Sequence, residues 1–482
     1  MSSTRTFIIP GGCVHLARMT ACLNETVCGI LIHEHVEVAQ ALATVAVSSE
    51  FADRIYTLHS LVQVAAEELQ PEDCESYDRC LRQILSDARV HYLAARSSLN
   101  TAFNNAIVIE KIVMNSLTII RKTKPTRLIS SSTPHSVEAW VFAKTCEHLR
   151  VPVYVLERTP INNRAWVYLG MDTQDVMMRP KPGIPGKLTR YSREIIHEQR
   201  QAKPGAKDEH GFYVSRMDLS SIKGSNTNNW WSYRREFGVL SKGSLLGTPV
   251  RALSVYMKNR LYRSYRKLAV SELPKSPFII FFMHYQPERS SLPEGLFHVQ
   301  QWTALRLLSM NLPAGWSLVV REHPTTWLQP LDITVRTIDL YDQIAQLPNT
   351  KICSMELDTF EIIDRCQAVA TLTGSVGFQA ILRNRPVIAF GLPAYKDHPA
   401  SLFVRTAAEV SRALRAIRNG ELSGCFSDEK LEKYLLWVEQ NSVCADANER
   451  DWLQGRLKNF TLLYEELLNA RGGVASQRSV EG

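Results

Sequence analysis

The chain runs to 482 residues, 45% of them hydrophobic, with 56 Lys and Arg against 48 Asp and Glu for a net charge of +8. That length is too great for one ordinary core, so two domains with connecting material are expected, and two lobes imply a cleft. No apolar run approaches the ~20 residues that span a bilayer, and the ten cysteines lack a CxxC pair or a Cys/His metal spacing, which fits reduced thiols in a cytosolic protein and no structural zinc.

The first apolar stretch, "FIIPGGCVHLA", is broken by Pro10, Gly11 and Gly12 and followed by Arg18, so it reads as a strand and turn, not as an export signal. "CGILIH" follows as a second strand, then helical stretches through "YDRCLRQILSDARVHYLAA" and "IVIEKIVMNSLTIIRK". Strand "RLISSS", helix "SVEAWVFAKTCEHLR" and strand "VPVYVLE" continue the alternation. A parallel β-α-β lobe over residues 1–178 is expected.

Residues 179–276 break the pattern with Pro, Gly and Asn, as a linker does. Between Lys181 and Lys275 stand 19 Lys and Arg against 7 Asp and Glu, a net of +12, which leaves −4 for the rest of the chain. One amphipathic helix is predicted inside it, "RALSVYMKNRLYRSYRKL", with Leu253, Met257, Leu261, Tyr265 and Leu268 on one stripe and Lys258, Arg263, Arg266 and Lys267 mostly off it. It is read either as a helix packed on a lobe with a solvated basic face or as a membrane-surface helix.

From Phe278 the alternation is cleaner. Strands "FIIFFM", "SLVVRE", "KICS", "AVATLT" and "PVIAF" are separated by helices around "HVQQWTALRLLSMNL", "DLYDQIAQL", "TFEIIDRC" and "VGFQAILRN", which predicts a doubly wound parallel sheet over 277–415. Residues 416–482 read as C-terminal helices with a frayed tail.

Ligands of open parallel sheets bind at the carboxyl ends of strands. Three such ends carry polar residues: His284, Gln286 and Glu288 after the first strand, Arg321 and His323 beside Pro324 after the second, and Thr373, Gly374, Ser375 and Val376 after a later one. Gly374 permits close backbone approach, and Ser375 can cap a helix starting near Val376. The free amides at that helix end favour a phosphate. His323 can donate to that phosphate, while Arg321 reads equally as a strand residue facing out. His284, Gln286 and Glu288 can bind sugar or base, or simply fold the turn. The chain has no GxxxxGK[ST], no GxGxxG and no Asp-x-Asp pair, so positive residues and helix amides would have to hold a diphosphate, without metal or other cofactor. With no recognition helix or RNP-like strand, nucleic acid is not an expected partner.

The stretches "FFMHYQPERSSLPEG", "GWSLVVREHPTTW" and "TLTGSVGFQAILRNRPVIAFGLPAY" resemble those of the bacterial capsular polysaccharide biosynthesis glycosyltransferases, a GT-B-type family of two Rossmann-like lobes. The His-Pro pair is also similar to that of capsule Kdo transferases and bacterial sialyltransferases. The resemblance implies that His323 and Ser375 hold the donor phosphate, with Thr373 and Gly374 shaping the turn. It further implies sugar transfer from a nucleotide donor, a CMP-sugar by the second likeness, to a glycan or lipid-linked glycan acceptor. The place implied is the cytoplasmic side of the inner membrane, with the basic linker contacting anionic lipid or an acidic polysaccharide.

The acceptor-side lobe must then supply a base or nucleophile. His135 and Glu157 stand at strand ends there, with Glu138 fitting a helix's first turn and Glu157 able to pair with Arg158 or Arg164; Glu288 is a third carboxyl-side candidate on the donor lobe. Rival readings on the same fold are a polyol-phosphate transferase of the teichoic-acid kind, a UDP-sugar 2-epimerase, or a non-catalytic glycan-binding scaffold subunit.

Overall fold

The structure, a computed structural model, describes residues 5–9, 27–32, 54–63, 71–97, 102–161, 164–171, 177–178, 187–201, 247–286, 291–328 and 336–444. The chain divides into two compact units, Met1–Arg193 with Glu432–Gly482, and Glu194–Leu431. Both are Rossmann-like α/β units. The boundaries fall in helices rather than at 178, 276 and 415.

In the first unit, β1 (Thr6–Ile9), β2 (Val27–Ile32), β3 (Ile55–Thr57), β4 (Arg127–Ser130) and β5 (Val153–Arg158) lie parallel in the order β5-β4-β1-β2-β3. β1 and β2 are buried throughout and, Thr6 apart, carry no polar side chain, as strands covered on both faces should. β6 (Arg164–Leu169) and β7 (Met177–Met178) extend the sheet antiparallel from β5. The expected long helical stretch is two helices, Pro71–Leu85 and Ala88–Ser97. Asp87 separates them and accepts from the Arg89 amide at 3.0 Å. Ser136 caps the helix Val137–His148, its hydroxyl accepting from the Ala139 amide.

The C-terminal segment returns to this unit, where Val443–Cys444 pairs antiparallel with β6. Arg164, buried, donates to the carbonyls of Glu439 (2.5 Å) and Ser442 (2.9 Å) and to Ser442 Oγ (2.6 Å). Glu439 in turn accepts from Thr189 Oγ1 at 2.5 Å and from Ser192. Of the C-terminal stretch from 416, the helix Asp428–Gln440 is present and the division between the units falls within it, while the tail expected to fray lies outside the described residues.

The second unit is a seven-stranded, all-parallel sheet. Its members are β8 (Ala269–Val270), β9 (Phe278–Phe282), β10 (Ser317–Arg321), β11 (Thr350–Cys353), β12 (Ala368–Thr371), β13 (Val387–Ala389) and β14 (Ser401–Phe403), in the order β14-β13-β12-β9-β10-β11-β8. The chain winds outward in one direction from β9 through β10 to β11. It then crosses back to β12 and winds in the other direction. The crossover makes the β9/β12 boundary the topological switch point. β8 and β14 were not expected from sequence, because two- and three-residue half-buried edges show no period.

Leu261 and Tyr265 of the helix Gly247–Leu268 enter the core of this unit, with Met257 and Leu268 packed against it, so that helix covers the sheet as the first of its two readings required. Lys258 departs from the expected solvated face. It is buried, and desolvation pushes its ammonium down to about 8. No described helix is long and apolar enough to cross a membrane.

Candidate functional site

The ends of β9, β10 and β12 lie side by side on one edge, because the three strands are adjacent and parallel. Neighbouring strands are ~4.8 Å apart, so the β10 and β12 ends flank the β9 end across about 10 Å.

His284 stands two residues beyond β9 and is buried. The Thr373 amide donates to its Nε2 at 3.2 Å, so in this arrangement the ring proton sits on Nδ1; Thr371 Oγ1 lies 3.2 Å from the same Nε2. Thr371 Oγ1 also accepts from the Gly374 amide at 3.3 Å. The two strand ends at the switch point are thereby tied together. A Cβ on Gly374 would come within 2.8 Å of Thr371 Oγ1, so glycine is needed for that approach. Gln286 does not reach outward. Its Nε2 donates to Val299 O at 2.7 Å and its Oε1 accepts from Gln301, which brackets His284 by accepting from its amide (2.6 Å) and donating to its carbonyl (3.0 Å).

Ser375 directly precedes the helix Val376–Leu382, but it does not cap it. Its backbone is helical (φ −58°, ψ −22°) and its exposed hydroxyl makes no cap bond, because capping requires extended backbone at that position. The turn is held instead from behind. Tyr395 donates to Gly374 O at 2.7 Å, and burial keeps its hydroxyl protonated by raising its pKa. A Cβ on Gly377 would fall 1.9 Å from that hydroxyl, so Gly377 is the space into which Tyr395 packs.

At the β10 end, Arg321 turns inward and not out to solvent. Nη2 donates to Met355 O at 3.0 Å, while the buried Nη1 has no partner among the described residues. Burial lowers its pKa, with Cys353, Tyr265 and Asp358 opposing. Glu322, next in sequence, is buried and bridges the site. It accepts from the His323 amide (2.7 Å), from Thr326 Oγ1 (3.0 Å), from both terminal nitrogens of Arg336 and from Tyr341. Arg336 also donates to His284 O at 2.9 Å, joining the β9 and β10 ends. Burial opposes the Arg336 charge, but Glu322 and Tyr341 outweigh it and its pKa is raised; burial and Glu322 raise that of Tyr341. His323 itself is exposed. Its Nδ1 accepts from the Thr325 amide at 3.2 Å, which leaves the ring proton on Nε2.

Of the residues singled out from sequence, the structure brings His284, Thr373 and Gly374 together at the β9 and β12 ends and sets His323 at the β10 end. Sequence reasoning did not single out Gln301, Glu322, Arg336, Tyr341, Thr371 and Tyr395, which the structure places in the same network. Glu322 and Tyr395 lie inside the motifs quoted, while Arg336 sits in a stretch without periodicity.

In the first unit, His135 is exposed in the loop after β4, and Glu138 lies in the first turn of its helix as expected. Glu157, near the end of β5, is buried; its Oε1 accepts from the Thr133 amide (2.7 Å) and hydroxyl and so pins the β4 loop. Glu288 lies outside the described residues.

Residues 290–399 match the family model described as capsule polysaccharide biosynthesis protein. No curated protein matches the chain. Among solved structures, the Thermosulfurimonas dismutans KpsC, a beta Kdo 2,7 transferase, is 13% identical, with 72% of this chain and 88% of that one covered and a TM-score of 0.30. The S. aureus MnaA structure with UDP is 10% identical over 97% and 98% of the two chains, TM-score 0.26. The Methanocaldococcus jannaschii UDP-GlcNAc 2-epimerase is 11% identical over 90% and 99%, TM-score 0.25. Likeness at that level carries no argument about substrate or reaction. The family match covers β10 to β13 with His323, Thr373, Gly374 and Ser375, and over residues 290–399 this chain is similar to the capsule polysaccharide biosynthesis proteins.

Proposed function

We propose that the protein is a glycosyltransferase that takes a nucleotide-activated sugar, a CMP-sugar being the first to test, and transfers the sugar to a growing capsular or other surface glycan. The observation that carries this reading is the wiring of the β9, β10 and β12 ends into one polar network at the switch point of the second sheet. A preorganised edge of that kind binds ligands in open parallel sheets.

The donor phosphate would lie over the β9 end, met by the His323 Nε2–H on one side and by the Ser375 hydroxyl and the amides of the Thr373 turn on the other. Those groups can hold a phosphate by hydrogen bonds without a divalent ion, so the transfer is metal-independent in this reading. Arg321, turned inward, adds charge from beneath. The acceptor side falls to the first unit in this reading. Glu157 is committed to the Thr133 loop, so His135 is assigned as acceptor base, with Glu288 as the remaining carboxyl candidate. The place of action is the cytoplasmic face of the inner membrane.

The test is a thermal-shift panel of CMP, CDP, UDP, GDP and ADP on the wild type and His323→Ala. A nucleotide at ~100 times its dissociation constant adds about 2.7 kcal/mol to stability. Selective stabilisation by one nucleotide, lost in His323→Ala, supports the donor site. A folded protein stabilised by none of the five refutes it, and turnover of a UDP-sugar without any acceptor would make the protein an epimerase.

A further inference from the structure

The outer face of the helix Gly247–Leu268 is a second place where the structure concentrates unused chemistry. The helix contains no Asp or Glu. Its inner side is spent on the core, with Leu261 and Tyr265 fully buried and Met257 and Leu268 packed against them. On the opposite side Tyr256, Arg260, Arg263, Arg266 and Lys267 are exposed. At 1.5 Å per residue they form a stripe about 16 Å long.

Among the described residues, none of these four cations pairs with a carboxylate. Two of them meet tyrosines: Arg260 donates to Tyr256 Oη at 3.3 Å, and the Arg266 guanidinium lies 5.9 Å from the Tyr262 ring centre. Asn259, Tyr262, Arg263, Arg266 and Lys267 line an open depression of about 530 Å³.

A solvated basic face needs neither a depression nor a tyrosine ring beside a guanidinium. A membrane-surface helix needs apolar side chains to insert, and here the described part of the apolar stripe, Leu261 and Tyr265 with Met257 and Leu268, packs into the unit; of the large hydrophobic side chains described on the helix, only Tyr256 is exposed, at 55%. What remains is guanidinium forks suited to carboxylate or phosphate, set among tyrosine rings and an amide that suit sugar faces and hydroxyls.

We propose that this face is a docking surface for an acidic glycan chain bearing carboxylate or phosphate groups, held by Arg263, Arg266 and Lys267 with Tyr262 and Tyr256 against the sugar rings. Its role in presenting an acceptor rests on the proposed sugar transfer; the binding itself does not.

The experiment uses the full chain and oligogalacturonate as the carboxylated probe. Neutral dextran oligomers and vesicles of phosphatidylcholine with phosphatidylglycerol serve as comparisons, against a triple variant Arg263→Gln, Arg266→Gln, Lys267→Gln. The wild type is expected to bind oligogalacturonate but not dextran, more weakly as salt rises. The variant, melting at the same temperature, should bind about tenfold more weakly, the scale of losing three exposed charge pairs. Equal binding by the variant, no binding by the wild type, or a preference for the vesicles that the triple variant abolishes would each overturn the proposal. Glycan binding that persists when no nucleotide stabilises the protein would sink the transferase reading and leave this surface standing.

Discussion

Replacing Arg336 by methionine is the sharpest test of how the site is held. Arg336 and Glu322 are both buried, and the guanidinium meets both carboxylate oxygens. Removing one partner of a buried pair leaves an uncompensated charge and costs roughly 3–5 kcal/mol. Glu322 would keep the His323 amide, the Thr326 hydroxyl and the Tyr341 hydroxyl, so the expected cost is about 3 kcal/mol, at the low end of that range. For a unit of this size each kcal/mol moves the midpoint by ~2–4 °C, so the melting temperature should fall by about 6–12 °C. High salt should not change the cost, since a pair out of water is little screened. The double variant Arg336→Met, Glu322→Gln carries no buried charge there and should recover much of the loss. Thermal melts of the four proteins at low and high salt decide the matter. A drop below about 1 kcal/mol for Arg336→Met, or a double variant less stable than either single one, would refute the reasoning.

The two histidines should separate cleanly. His323→Ala, at an exposed position, should leave the melting temperature unchanged and reduce stabilisation by nucleotide, whereas His284→Ala should lower the melting temperature without ligand because the Thr371 and Thr373 ends lose their tie. Gly377→Ala must displace Tyr395 and should cost about 1–3 kcal/mol by overpacking; Tyr395→Phe keeps the ring, loses the bond to Gly374 O, and should cost about 1 kcal/mol, both read from urea midpoints. His398, buried with Nδ1 accepting from the Ala400 amide, has its pKa pushed down by burial from 6.5 to about 4. The unfolded chain therefore binds a proton between pH 6.5 and 4 that the folded one does not. The stability present above pH 6.5 should fall by about 3 kcal/mol as the pH drops toward 4, a slope reduced in His398→Asn.

Local order fixed what could be read without a structure. Continuous apolar runs such as "FIIFF" and "SLVVR", separated by helix-period stretches, are short-range patterns, and they determined two Rossmann-like units and the three polar strand ends. The same locality hid the rest. Arg336 reaches a carbonyl 52 residues earlier in the chain, and Thr371 meets a ring 87 residues away, distances over which no hydrophobic period carries information. Ser375 looked like a cap because its residue type suits one, yet capping depends on a backbone angle that Tyr395 and the packed turn impose. Lys258 looked solvent-facing among its basic neighbours, and only the helix's rotation onto the sheet buried it. The sequence alone determined the elements and the residue types at their ends. Only the tertiary structure decided the order of the strands, the switch point, and which polar side chains hold the site from behind, because those depend on burial and on contacts between distant parts of the chain.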